Sequence, residues 1–149
     1  MKKATDIMTS DVITVTTETS VQELARIFSL HNISGVPVVD ASGDLIGVVT
    51  ENDLIDQTKK LHIPTVVAIL DSIFYLENPD KMEREMKKIA GTTVLDIYSS
   101  DPTTVNEEAT LEEIATIMAE KNVHTLPVVR ERKLIGVIGK KDIIKTLIP

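Results

Sequence analysis

The chain has 149 residues and a mass of 16.4 kDa, with 42% hydrophobic residues, only 3% aromatic residues and no Cys. That length supports one ordinary core or two small ones built from Val, Ile, Leu and Met, and the absence of Cys excludes disulfides, thiolate metal ligands and cysteine nucleophiles. A formal charge of -7, with no basic run longer than Lys59–Lys60, Lys87–Lys88 or Lys140–Lys141, argues against a nucleic-acid partner.

From the N-terminus, "DIMTSDVITV" (6–15) leads into a short extended piece. The "MKK" before it has no apolar stretch behind it, so no secretory signal is expected, and no apolar run approaches the length of a membrane span. The cytoplasm is the expected location. A helix is predicted from Ser20, with Glu23 in the spacing of a capping box and Val21, Leu24 and Phe28 along its apolar face. A strand through "VPVVD" follows, with Pro37 fixing φ at its start, then a tight turn at "ASGD", a second strand "LIGVVT", and a last helix near residue 51.

Residues 56–95 read differently. "IPTVVAILDSIFYL" predicts a helix after Pro64 with Val66, Ile69, Leu70 and Ile73 on one side. "NPDKMEREMKKIAG" predicts a charged helix, capped by Asp80 with Glu83 and ended by Gly91. The apolar face needs cover, either within the chain or between two chains.

At residue 96 the opening order returns. "DIYSSDPTTV" (96–105) matches 6–15 at six of ten positions with an offset of 90. "ATLEEIATIMAEKNVHTLPVVR" (109–130) then lies over 19–40, and "KLIGVIGKKDII" (133–144) over 44–55 after one residue is dropped in the turn. Thr110 and Glu113 repeat the capping box, and Leu111, Ile114 and Met118 repeat the apolar face. The chain therefore reads as an α+β fold of two β-α-β-β-α units, 1–55 and 96–149, joined by a helical segment 56–95. Neither unit could bury enough surface alone, so the two should pack with pseudo-twofold symmetry.

Several residues are candidates for chemistry. Thr50 and Asp53 suit a helix cap. In the second unit Gly139 has lost the hydroxyl while Asp142 remains, which points to a further task for the acid, such as accepting hydrogen bonds from a cis-diol. Pro37 and Pro127 leave a local backbone edge that a planar base could meet. His31, His62 and His124 show no metal-ligand spacing, and neither a "GxSxG" elbow nor a "GxxxxGK[ST]" loop is present. No enzyme and no required cofactor is expected.

In "DIMTSDVITV", "NISGVPVVDASGDLIGVVTENDL" and "NVHTLPVVRERKLIGVIGKKDI" the chain resembles a tandem cystathionine-β-synthase (CBS) domain pair, or Bateman module, of a small stand-alone type. The resemblance implies a regulatory module whose two clefts between the repeats bind an adenosine nucleotide, AMP, ADP or ATP, or S-adenosylmethionine. It implies that the motif acid of one repeat holds the ribose of a ligand whose base sits in the other repeat. Carried over, one cleft combines Thr50 and Asp53 with Thr103, Val123, His124, Thr125 and Pro127. The other combines Asp142 with Ile13, Ile33, Ser34, Gly35 and Pro37. Because Gly139 lacks the motif hydroxyl, the Asp53 cleft is expected to be the better site. The resemblance further implies a homodimer and output through a separate effector protein. The other reading left open is a protein-interaction scaffold with degenerate nucleotide sites.

Overall fold

The computed structural model describes residues 1–57 and 92–149. The first half runs α1 (Ala4–Ile7), α2 (Val21–His31), β1 (Gly35–Val39), β2 (Leu45–Thr50) and α3, helical over 51–57. The second runs α4 (Val94–Ile97), β3 (Val105–Asn106), α5 (Leu111–Lys121), β4 (Thr125–Arg130), β5 (Lys133–Gly139) and α6 (Lys140–Lys145). The α+β class is that expected; each repeat also opens with a one-turn helix, α1 or α4, and the opening strand of the first is a single bridge at Val15. The helices expected after Pro64 and Asp80 lie outside the described residues.

The two long helices start and stop for the same reasons. The hydroxyls of Ser20 and Thr110 accept hydrogen bonds from the backbone N–H groups of Glu23 (3.0 Å) and Glu113 (3.2 Å). These bonds satisfy donors that a helix start leaves unpaired. Each helix ends at an Asn in the left-handed region, Asn32 (φ 50°) and Asn122 (φ 52°), a conformation Asn tolerates better than most residues. Val21 and Leu24 of α2, and Ile114 and Met118 of α5, are buried.

Each helix covers a hairpin. β1 pairs antiparallel with β2 from Gly35↔Thr50, and β4 with β5 from Thr125↔Gly139, each with a register shift at the equivalent place, Val38/Val39 and Val128/Val129. Val15 pairs in parallel with Val38, as Val105 of β3 does with Val128. Val15 donates to the Pro37 carbonyl (3.1 Å) and accepts from Val39 (2.9 Å). The missing N–H of Pro37 therefore falls on the edge facing the lead-in, not on the hairpin ladder, and parallel pairing stops there.

The two units exchange their lead-ins. Residues 1–9 pack on the second unit: Ala4 donates to the Ala109 carbonyl (2.8 Å), and Thr9 exchanges bonds with Val137 at 2.8 and 3.0 Å. Residues 92–99 pack on the first: Val94 donates to Thr19 (2.9 Å), and Ser99 exchanges bonds with Val48 at 3.0 and 3.1 Å. Ala4 thus belongs to a core with Val105, Ile114, Leu126, Val128 and Ile138. Val94 belongs to one with Val15, Leu24, Val36, Val38 and Val49. An ion pair between Lys3 and Glu108 at 2.5 Å reinforces the first crossing, and its hydrogen bond holds the ammonium above its ordinary pKa.

The exchange requires bare backbone. A Cβ on Gly47 would stand 2.3 Å from the Ser99 carbonyl oxygen and 2.4 Å from the Tyr98 ring. A Cβ on the equivalent Gly136 would stand 2.3 Å from the Met8 sulfur.

Two places mark the pseudo-twofold axis, because there a residue meets its own counterpart. Gly35 abuts Thr125 so closely that a Cβ would lie 2.6 Å from the Thr125 hydroxyl. Asp44 bridges to Lys133, with Asp44 Oδ1 and Lys133 Nζ 2.7 Å apart, and the Lys133 ammonium also donates to the Ser42 carbonyl at 2.5 Å.

Gly47→Ala should lower stability by about 1–3 kcal/mol, the scale of overpacking, because the obstructing carbonyl is bound to Val48 and cannot move away. Gly136→Ala should cost less, since Met8 can change rotamer. Urea unfolding of the two variants checks the order, and equal losses would show that the glycines are not needed for the exchange.

Candidate functional site

The end of each hairpin delivers a strand directly into a short helix, and the acids stand three residues past that junction. Asp53 Oδ2 accepts from the Thr50 backbone N–H (2.8 Å) and from the Thr50 hydroxyl (3.1 Å), while the Asp53 N–H donates back to that hydroxyl (3.3 Å). Asp142 Oδ2 accepts from the Gly139 backbone N–H at 2.8 Å. The persistence of Asp142 beside a glycine therefore has a structural cause. The acid holds the backbone N–H, which Gly139 retains, and the lost hydroxyl carries no argument for a ligand.

Two cavities lie between the units. One, of about 450 Å³, is lined by Ile13, Ile33, Ser34, Gly35 and Pro37 from the first unit and by Asp142 from the second. These are all six residues expected of that cleft. The geometry follows from the fold: Pro37 ends the parallel pairing, so the lead-in parts from β1 beyond Val15 and Ile13 lines the gap. Lys140, Lys141 and Lys145 of α6 line the same cavity, with His31 and His124.

The second cavity, of about 620 Å³, brings together Thr50, Thr103, Val123, His124 and Thr125. Asp53 and Pro127 are not among its lining residues. Asp53 is bound to its cap and Pro127 is fully buried, as their counterparts Asp142 and Pro37 are, so neither feature accounts for the difference between the two cavities. Ser34, Glu51, His124, Thr125 and Lys140 line both cavities, so the two share a wall on the pseudo-twofold axis. In that wall the Ser34 and Thr125 hydroxyls stand 3.4 Å apart.

Sequence reasoning missed some lining residues. Thr9 and Asp11 line the smaller cavity, and their counterparts Ser99 and Asp101 line the larger one. The available signal was the "TSD"/"SSD" correspondence between the lead-ins. Among the described residues no cluster of His, Asp and Glu could hold a metal ion, and no helix is long and apolar enough to cross a membrane.

Comparison with known proteins agrees with this architecture. A family model described as CBS domain matches residues 4–60 and 94–149. Inosine-5'-monophosphate dehydrogenase of Korarchaeum cryptofilum is 33% identical over 144 residues, which is 96% of this chain; the chain spans 24% of that dehydrogenase's length. Among solved structures, CBSX2 in complex with AMP superposes with a TM-score of 0.73 at 24% identity, over 99% of this chain and 96% of that one. The CBS domain pair of protein MJ0100, in complex with 5'-methylthioadenosine and S-adenosyl-L-methionine, gives 0.72 at 23% identity over 99% and 96%.

A Cβ on Gly139 would have 3.8 Å to its nearest neighbours, the Asp142 carboxylate and the His124 carbonyl. Gly139→Thr should therefore fit and re-create the hydroxyl contacts seen at Thr50. It should raise stability by about 0.5–1 kcal/mol, the cost of a glycine in a regular element. Thermal or urea unfolding reads the change; a loss of stability would mean that the Thr50 arrangement does not transfer.

Proposed function

This chain belongs to the CBS domain family as a tandem pair of repeats, and from that premise we propose that it is a regulatory module binding an adenosine nucleotide in the clefts between repeats 1–55 and 96–149. The observation that carries the reading is the cavity of about 450 Å³ that unites Asp142 with Ile13, Ile33 and Pro37 and with three lysines. Its size lies in the range of small-molecule sites, which combine apolar walls with a few polar groups. An adenine is placed against the half-buried Ile13 and Ile33, with Ser34, Gly35 and the buried Pro37 of β1 behind it. The Asp142 carboxylate, acceptor-only when ionised, suits the two ribose hydroxyls. Lys140, Lys141 and Lys145 offer point charges to phosphate.

The bound AMP of CBSX2 and the two adenosyl compounds of the MJ0100 pair support this ligand class. AMP, ADP and ATP all carry the groups required. The second cleft, with Thr50, Thr103, Val123, His124 and Thr125, is a further site of the same kind. Asp53 contributes there once its carboxylate is shared between cap and ligand. The role is sensing rather than catalysis: ligand held between the repeats alters their packing, and a separate effector protein or a second copy of the chain reads the change. A homodimer belongs to the same reading, and exposed Leu30, Ile55, Leu95 and Ile144 are apolar side chains available for a second copy to cover. The cytoplasm, where such nucleotides are abundant, is the fitting location.

Titration calorimetry with AMP tests the reading. Asp142→Ala should weaken binding by about 1.5–3 kcal/mol, the scale of a charge-assisted hydrogen-bonding group, or one to two decades in Kd. Thermal unfolding run alongside separates this from loss of the cap. A folded D142A protein that binds AMP like the parent would remove the diol role. A parent that binds no adenosyl compound would favour a scaffold with degenerate sites.

A further inference from the structure

The pseudo-twofold axis equates α6 with α3, and the two helices carry opposite charge. Lys140, Lys141 and Lys145 have as counterparts Glu51, Asn52 and Asp56. All three lysines line the smaller cavity, together with Asp11 and Glu51, whereas the larger one is lined by Glu51, Asn52 and Asp101. Lys140, on the shared wall, is the larger cavity's lysine among the described residues. The fold thus repeats one cleft while the sequence inverts the charge of the helix at its mouth.

We propose that the two clefts sort adenosyl ligands by charge: the Asp142 cleft takes the phosphate-bearing ligand, and the Thr50 cleft takes an adenosyl compound whose 5' substituent is neutral or cationic. This rests on the adenosine-binding reading above and assigns a ligand class to each cleft. Close to the protein, unlike charges attract and like charges repel strongly enough to decide between ligands of similar shape. A phosphate in the Asp142 cleft meets three ammonium groups. Placed equivalently in the other cleft, it meets the Glu51 carboxylate and the Asn52 amide, with the single ammonium of Lys140; the lead-in acids Asp11 and Asp101 stand one in each cleft and do not distinguish them. The clefts are also coupled, because Lys140 and Glu51 line both: phosphate that draws Lys140 to its own side and repels Glu51 leaves that carboxylate to the other ligand. Occupancy by nucleotide thereby favours a cation or a neutral group next door.

Calorimetry on the full chain at low ionic strength tests this with AMP and 5'-methylthioadenosine as the two probes. The parent is expected to take one tight AMP per chain, and the AMP-saturated protein to take one 5'-methylthioadenosine. The double variant E51K/N52K transplants the lysines and should raise tight AMP binding to two per chain. The second site should gain on the order of tenfold or more, fading as salt screens the added charges. The reverse variant K140E/K141N should lose tight AMP binding while retaining 5'-methylthioadenosine, and it serves if the first variant fails to fold. Two equal AMP sites in the parent, or charge reversals that leave AMP binding unchanged, would overturn the sorting while leaving the adenosine reading intact. Failure of the parent to bind either probe would overturn both.

Discussion

The close passage of two short segments over two glycines governs the arrangement of this protein. Tyr98 and Ser99 lie on Gly47, and Met8 lies on Gly136. Each contact carries a lead-in away from the helix and hairpin that follow it and onto those of the other unit. The consequence is that neither core is local: Val94 completes the first and Ala4 the second. Removing either half would strip buried apolar surface from the one that remains, so the pair behaves as one cooperative unit although the sequence presents two.

The same exchange produces the clefts. A lead-in that crosses to the other unit must leave its own hairpin edge, and Pro37 determines where, because it has no N–H to continue the pairing beyond Val15. The gap so opened is floored by apolar residues of one unit and rimmed by the strand-to-helix junction of the other. Asp142 has a double position there. Its Oδ2 secures the start of α6, and the residue also lines the cavity. Preorganisation by the cap limits the rotamer freedom such a group would lose on meeting a ligand.

Much of this was legible in the sequence. The two N-cap hydroxyls, the two Pro-containing strands and the one-residue difference in the turns all mark elements that the structure contains, although only Thr110 and Glu113 close the full capping box, the Glu23 carboxylate being paired with Arg26 instead. The exchange itself was not legible. An offset of 90 aligns the two lead-ins whether each folds back on its own unit or on its neighbour, and only three-dimensional packing distinguishes the cases. Gly47 read simply as a strand residue, because the reason for it, Tyr98, lies in a distant segment. Asp53 illustrates a different limit. Its spacing from Thr50 was correct for both a cap and a ligand group, and spacing says nothing about which way a carboxylate turns. The two-cavity geometry brought in Glu51 and Asn52, whose significance depends on the axis that relates them to Lys140 and Lys141.

The two halves are complementary at the axis rather than alike. At the crossing, Gly35 makes room for Thr125, and Asp44 answers Lys133. Pairing two copies of the first half would set Asp44 against Asp44, and pairing two copies of the second would set Lys133 against Lys133 and force Thr125 into Thr125. The present partnership avoids both the like-charge encounter and the steric one. The two positions therefore favour the pairing of unlike halves over the pairing of like ones.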